Sequence, residues 1–522
     1  MKRSTPFKVL AVLAAAIATI TVAGAPSYAD DPSLVETPSG LLQGTVEEGH
    51  RTFLGIPYAA PPVGDLRWRA TEAVEPWTGV RDATRPGSPC LQEGWEEGEP
   101  VGGSEDCLYL NVDAPLDADG PLPVMVFLHG GGLNSGQGVL YDPARIVERS
   151  DVIVVTPNYR LGAYGFLSHP DMDDPYAGNF ALADQQEALR WVEENIAAFG
   201  GDPGNVTLWG QSGGGYAVCA QLAAPGAEGL FDKAIVQSAS CANQVLTEDE
   251  AGARGEDLAE AVGCGDAEDA MACLAETDPA ELVLWRADEI AHVTRHRSDY
   301  PWFPVAGTEA LPRQPIVALS RGEAADIPLI HGSTKDEARI AVAKTYEWPG
   351  TPVTAEQYPG IVEDLFGRRD ARTILNLYPL GDHETPSLAL ATLLTDYGGL
   401  AGTCSQVPAL EAASWHAPVY SYEFAEPTGE VAGDFPLGAR HGADDRYFFG
   451  NRFAPNPLTG ERLELADTLT DHWGEFARTG DPGGGWEQYH RGNAMSFSTE
   501  AIESISIAEG HHCGFWIPRL WW

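Results

Sequence analysis

Residues 205–224 read NVTLWGQSGGGYAVCAQLAA, and no other stretch constrains the chain as much. Val206, Leu208 and Trp209 form a short apolar run behind the turn-forming Asp202-Pro203-Gly204-Asn205. Gly210-Gln211-Ser212-Gly213-Gly214 follows, and residues 216–224 are small and apolar enough for a buried helix that Pro225 stops. A G-x-S-x-G sequence acquires meaning between a strand and a helix. A serine at the apex of so sharp a turn needs glycine neighbours, because side chains there would collide with the strand and the helix. Its hydroxyl is then pushed into the open, where a histidine and a substrate carbonyl both reach it. The first N–H groups of the helix, and its dipole, face any negative charge that develops there. In a chain with 58 glycines the motif alone can arise by chance. The strand–turn–helix context is what makes Ser212 a candidate nucleophile.

The surrounding chain supplies more of the same alternation. Apolar runs at residues 108–112, 124–128, 152–156, 234–236, 327–331 and 419–424 read as strands. The run VIVVT at 152–156 has no polar alternation, as expected for a strand buried on both faces. Residues 34–58 have a hairpin-like pattern. Over residues 179–199, Leu182, Leu189, Val192 and Ile196 share one helical face that Gly200-Gly201 ends, and Leu465, Leu469, Trp473 and Phe476 mark a second such stripe ended by Gly480. Strands alternating with helices predict a mostly parallel central sheet with helices on both faces. Residues 248–297 are helical and strand-poor, an insertion over the carboxyl end of the sheet, and residues 354–416 are again mostly helical. No repeat, low-complexity segment or linker divides the chain, so residues 30–522 are expected to form a single domain.

Residues 1–29 have the pattern of an export signal: Lys2, Arg3 and Lys8, an uncharged and largely apolar run over 9–25, then Ser27-Tyr28-Ala29. No other apolar stretch is long enough to span a bilayer. The expectation is a secreted, extracellular protein with no membrane partner once the signal is cleaved. A formal net charge of −44 argues against nucleic acid or an anionic membrane surface as partners. Beyond the signal the only lysines are Lys233, Lys335 and Lys344; the arginine bias carries no mechanism. All eight cysteines also lie beyond it, and in an exported chain an even number implies disulfides. No pair of CxxC motifs marks a metal site. Cys90 with Cys107, and Cys264 with Cys273, would close short loops, but spacing alone leaves the connectivity open.

A serine hydroxyl is a weak nucleophile until a base takes its proton, and that base needs an orienting acid. In a sheet of this kind the order is serine, acid, histidine, each beyond the carboxyl end of a strand. After the 327–331 strand comes GSTKDEAR, offering Asp336 and Glu337; after the 419–424 strand comes Arg440-His441-Gly442 in a glycine-containing loop. Of thirteen histidines, His331 reads as a strand end, His292 and His296 fall in the helical insertion, and His511 and His512 lie in the tail beside a cysteine. Position favours His441. His129-Gly130-Gly131-Gly132 directly follows a strand, and glycines let backbone N–H groups approach a tetrahedral oxygen closely. With the N–H of Gly213, those of Gly131 and Gly132 would make an oxyanion hole, in which losing one donor costs about 2.7–4 kcal/mol.

Taken together, FLGIPYAAPPVGDLRW, SEDCLYLNV, VFLHGGG, NYRLGAYGFL, GNFALADQQEALRWVEENIAAFGGDP and VTLWGQSGGG resemble the type-B carboxylesterases. These are α/β-hydrolases that include bacterial para-nitrobenzyl esterases, animal carboxylesterases and cholinesterases. The resemblance runs from about Val35 to the C-terminal helix. It implies the α/β-hydrolase fold, Glu337 rather than Asp336 as the acid, and His441 before Gly442 as the base. It also implies bridges Cys90–Cys107, Cys264–Cys273 and Cys404–Cys513, leaving Cys219 and Cys241 either paired or buried and reduced. Arg67 with Glu105 corresponds to the family's structural ion pair, and Ser238 to a buried serine near the triad. One departure stands beside the nucleophile: family members usually read GESAGG, whereas this chain reads GQSGGG, so Gln211 replaces an acid.

The expected activity is that of a serine esterase working through an acyl-enzyme, with no metal or organic cofactor and a small-molecule ester as partner. The alternatives are an amidase or lactonase with the same triad, or a non-catalytic adhesion or binding protein on the same fold, which typically loses the serine or its partners. The Cys90–Cys107 loop is short, its Trp95 sits in an acidic stretch, and Gln211 carries no charge. Neutral esters with short- to medium-chain acyl groups are therefore expected over choline esters.

Overall fold

Leu122–Leu128, LPVMVFL, is buried along its whole length, and the reason lies in what covers its two faces. In the computed structural model the described residues are 1, 31–94, 101–116, 120–285, 300–324, 326–399, 401–452 and 457–520. The export-signal pattern (apart from Met1), Trp95, His292 and His296 lie outside them. An eleven-stranded sheet is built from β1 (Thr45–Val46), β2 (His50–Pro57), β3 (Tyr109–Pro115), β4 (Leu122–Leu128), β5 (Ile153–Pro157), β6 (Gly201–Gln211), β7 (Lys233–Gln237), β8 (Leu329–Thr334), β9 (Val419–Phe424), β10 (Asn493–Phe497) and β11 (Ile502–Ser506). Their spatial order is β11-β10-β9-β8-β7-β6-β4-β5-β3-β2-β1. Every pairing from β5 across to β10 is parallel. The pairings at both edges are antiparallel.

Side chains along a strand alternate between faces, so a continuous apolar run feeds two cores at once. The helices that receive them include α1 (Ala144–Ser150), α2 (Phe180–Asn195), α3 (Gly213–Gln221), α4 (Pro386–Tyr397) and α5 (Glu461–Thr479). Val124, Val126 and Leu128 of β4 join one cluster with Leu182, Leu189 and Val192 of α2 and Ala217 and Val218 of α3. Met125 and Phe127 join the other, with Ile146 and Val147 of α1 and Leu465, Leu469, Trp473 and Phe476 of α5. Gly480 ends α5 in the left-handed region, at φ 81°. Helices Glu248–Ala261, Ala270–Glu276 and Pro279–Leu284 occupy the strand-poor insertion.

Two local readings are corrected by the sheet. Asp202–Asn205 is not a turn ahead of the strand but an irregularity within β6: Gly201 pairs with Leu122, and pairing resumes at Val206 with Val124. Pro203 has no N–H for the ladder, and Asp202 Oδ1 accepts from the Gly204 N–H at 3.0 Å, so the chain bulges and rejoins. His331 is not a strand end either. Gly332, Ser333 and Thr334 end the apolar pattern without ending the ladder, which continues to Thr334 opposite Phe424.

Four disulfides tie the structure together: Cys90–Cys107, Cys219–Cys241, Cys264–Cys273 and Cys404–Cys513. Arg67 and Glu105 form a bidentate pair at 2.6 and 2.5 Å. A second pair, absent from the sequence reading, is more deeply placed: Arg160 meets Asp184 at 2.8 Å with side chains 3% and 0% exposed.

Candidate active site

The chain reaches β4, crosses to β5 on one side, then returns to place β6 on the other side of β4. Such a reversal opens a crevice beyond the carboxyl ends of the strands. Gly130–Gly132 leaves β4 there and Ser212 leaves β6 there. Ser212 sits at φ 54° and ψ −119°, a conformation a non-glycine residue adopts only when the surroundings enforce it. Its glycine neighbours are the enforcement. A Cβ on Gly210 would overlap the Gly214 carbonyl, and one on Gly214 would overlap the Leu128 carbonyl oxygen. The Ser212 N–H is anchored to the Gln237 carbonyl of β7 at 2.8 Å.

Ser212 Oγ points at His441 Nε2, 2.8 Å away, and His441 Nδ1 lies 2.5 Å from Glu337 Oε2. The other oxygen of Glu337 accepts from the Ser238 hydroxyl at 2.5 Å and from the Thr334 N–H at 2.8 Å. With both of these donors on Oε1, Oε2 is left for the imidazole, so Nδ1 carries the proton and Nε2 is free to accept one from Ser212. Burial pushes the His441 pKa down, but the charge and hydrogen bond of Glu337 outweigh it and the net shift is upward. Burial alone pushes His129 and His331 down to about 4, which leaves both neutral. Asp336, the alternative acid, is turned away: it pairs with Arg339 at 2.7 Å and accepts from the Ala439 N–H at 2.9 Å.

Gly131 and Gly132 have φ of 117° and 62°, values that side-chain-bearing residues rarely adopt. A Cβ on Gly213 would stand 3.1 Å from the Gly132 nitrogen, so the loop after β4 and the start of α3 bring their amides together. None of the Gly131, Gly132 and Gly213 N–H groups donates to a protein acceptor among the described residues. All three line, with Ser212 and His441, a cavity of about 870 Å³. Its apolar wall includes Val283, Trp285, Phe303, Ile340 and Leu394. Among the described residues no group of three or more His, Cys, Asp or Glu side chains is placed to hold a metal.

Two features of the site had no clear signal in the sequence. Gln237 is a hub: its side chain accepts from Trp209 Nε1 and donates to Asp444 Oδ2 at 2.8 Å, tying β6 and β7 to the histidine loop. Asp445 lines the cavity beside Gln211 and Gly442. Nothing in the spacing of Asp444-Asp445 distinguishes the carboxyl that braces the loop from the one that faces the cavity. Gln211 itself lies beside His441, its Nε2 3.4 Å from His441 Nε2.

Comparison with known proteins shows the family and the fold. The model of the carboxylesterase family matches residues 31–516. Para-nitrobenzyl esterase of Bacillus subtilis (strain 168) is 36% identical over 475 residues, covering 88% of this chain and 92% of the relative. Fumonisin B1 esterase of Sphingopyxis macrogoltabida is 33% identical over 512 residues, covering 93% and 90%. Among solved structures, a thermophilic para-nitrobenzyl esterase superposes with a TM-score of 0.77 at 33% identity, covering 92% of this chain and 99% of its own. Its fold is the α/β-hydrolase fold, and the parallel sheet flanked by helices described above is the same arrangement. Family and fold agree over nearly the whole chain, which belongs to the carboxylesterase family and is a serine hydrolase of carboxylic esters.

Proposed function

We propose that Ser212, His441 and Glu337 are the catalytic triad of this esterase, and that Gly131, Gly132 and Gly213 form its oxyanion hole. Ser212 Oγ attacks the ester carbonyl carbon as its proton passes to His441 Nε2. Glu337 holds the imidazole and stabilises the imidazolium that forms. The three amides receive the oxyanion, His441 returns its proton to the leaving alcohol, and water then releases the acyl group by the same steps. The observation that carries this reading is the 2.8 Å and 2.5 Å relay from Ser212 through His441 to Glu337, opening on the cavity beside amides that lack acceptors among the described residues.

The preferred substrates are neutral esters with short- to medium-chain acyl groups. The apolar wall of the cavity and the uncharged Gln211 support this preference. The chain is secreted after cleavage of residues 1–29, and residues 30–522 act as one domain. Four disulfides support an oxidising destination, and no helix among the described residues is long and apolar enough to cross a membrane.

Ser212→Ala and His441→Ala should each lower kcat by several orders of magnitude, and together by little more than either alone, because the residues act as a unit. A serine-reactive organophosphate should label Ser212 in the wild type. Turnover near normal in Ser212→Ala, or labelling at another serine with loss of activity, would overturn the assignment.

A further inference from the structure

The mechanism gives no part to one ionisable group of the cavity, Asp445. Its Oδ2 lies 3.4 Å, and the Gln211 amide nitrogen 3.5 Å, from where a Cβ on Gly442 would stand. Carboxyl and amide thus both flank Gly442, in the loop that carries His441. The other oxygen, Oδ1, is buried and has no hydrogen-bond partner among the described residues. Its neighbour Asp444 is held differently, with Oδ2 accepting from Gln237 Nε2 at 2.8 Å and from the Tyr422 hydroxyl at 2.9 Å.

We propose that Asp445 sets the charge preference of the catalytic cavity, withholding a counter-ion from cationic esters as its carboxylic acid and supplying one as its carboxylate. The proposal rests on the esterase reading above, since it names the ester class that the same cavity accepts. Like charges sharing a site cannot all ionise at ordinary pH, and the group with the fewest compensating contacts gives way. Asp444, Asp445 and Glu337 are the carboxyl groups in question. Glu337 is matched by His441 and two donors, and Asp444 by two donors; Asp445 has neither. Burial, and after it the charge of Asp444, hold the Asp445 carboxyl well above the usual carboxylate range, against the pull of Arg440. Arg440 is itself engaged with Glu430 at 2.7 Å and with the His441 carbonyl at 3.0 Å.

The remaining groups that face Asp445 do not supply the missing compensation. Tyr141, whose hydroxyl pKa is raised chiefly by burial and then by Asp445, brings no charge. Tyr422 serves Asp444. Lys344 and Glu93 line the same cavity with opposite signs. Trp285 and Phe303 also line the cavity; aromatic rings of this type attract a methylated ammonium, and an anion nearby is what balances its charge. Gln211 therefore removes one acid from beside the nucleophile, and the histidine loop brings another within reach. The overall charge of −44 attracts cations at every pH, but physiological salt screens it over about 8 Å, so a pH-dependent preference is a local effect.

The test is the ratio of kcat/KM for an acylcholine to that for a neutral ester of the same acyl chain and leaving-group reactivity, followed upward from mildly acidic pH across the whole range in which the wild type stays folded, at physiological salt. The titration of His441 affects both esters and cancels in the ratio. In the wild type the ratio should rise about tenfold or more as Asp445 ionises, the scale of one partly screened charge pair. In Asp445→Asn it should stay low and flat, and Asp445→Glu should restore the rise. A second measurement needs no variant: inhibition of neutral-ester hydrolysis by tetramethylammonium should tighten about tenfold over the same range. A flat ratio and a flat inhibition constant in the wild type, or a rise that survives in Asp445→Asn, would overturn the proposal while leaving the esterase reading intact. Failure of the wild type to hydrolyse either ester would instead count against that reading.

Discussion

Glu337→Gln tests the proposed relay with almost no change in volume, and the structure says which way the new amide must face. Glu337 Oε1 accepts the fixed Thr334 N–H at 2.8 Å and the Ser238 hydroxyl at 2.5 Å. A glutamine NH2 group there would oppose the Thr334 donor, so the amide oxygen takes the Oε1 position. The NH2 group is then presented to His441 Nδ1, which has to accept. An imidazole that accepts at Nδ1 carries its proton on Nε2, where it donates to Ser212 rather than taking a proton from it. The variant keeps its nucleophile, its base and its oxyanion donors but holds the base in the wrong tautomer. The expected loss is about 10⁴-fold in kcat with KM nearly unchanged, equivalent to about 5.5 kcal/mol of lost transition-state stabilisation. The assay is steady-state hydrolysis of a chromogenic short-acyl ester, with circular dichroism and thermal unfolding as checks on the fold. A folded Glu337→Gln whose kcat lies within about tenfold of the wild type would refute the tautomer argument.

Two further outcomes follow from the structure outside the catalytic cavity. His511 lies buried between Asp396 at 2.7 Å and Glu423 at 2.6 Å; burial opposes its charge, but the two carboxylates push its pKa up to about 9. A folded-state pKa above the unfolded value of about 6.5 means stability that is complete below about pH 6.5 and gone above about pH 9, worth about 3 kcal/mol. Denaturant midpoints at about pH 6 and about pH 10 should show that loss in the wild type and not in His511→Gln, and equal losses in both would refute it. Peptide mapping without reduction should recover Cys219 linked to Cys241, the bridge between α3 and the segment after β7 that closes a separation of 22 residues. Its removal should cost about 3 kcal/mol in the chain-entropy description, and free thiols at both positions would contradict it.

How far each feature could be read from the sequence depends on how local its cause is. The turn at Ser212 was legible because every requirement lies within a few residues: apolar strand, flanking glycines, small-residue helix. The buried strands were legible for the same reason, since a run such as VIVVT has no polar side to expose. The reading of Asp202–Asn205 failed because proline and glycine signal a local break but not whether the neighbouring strand will take the chain back. His331 was misplaced because Gly332-Ser333-Thr334 lose the apolar pattern, whereas the ladder continues on backbone groups that every residue type supplies. Glu337 and Asp336 were indistinguishable from the residues alone and were separated only by resemblance. Adjacent side chains on an irregular loop point in directions that only the surrounding packing determines.

The local sequence thus determined the sheet's buried strands, the serine's exposed turn and the glycines that permit it, because these depend on sterics and on hydrophobic patterning along a few residues. Tertiary structure alone decided what those pieces meet. Cys219 meets Cys241 because α3 packs over β7. His511 is charged because β9 and α4 each place a carboxylate against the tail. Asp445 faces the cavity while Asp444 is held by Gln237 and Tyr422. Such pairings join residues tens to hundreds of positions apart, and the energy of a contact between them depends on distance and burial, neither of which is written in the order of the chain.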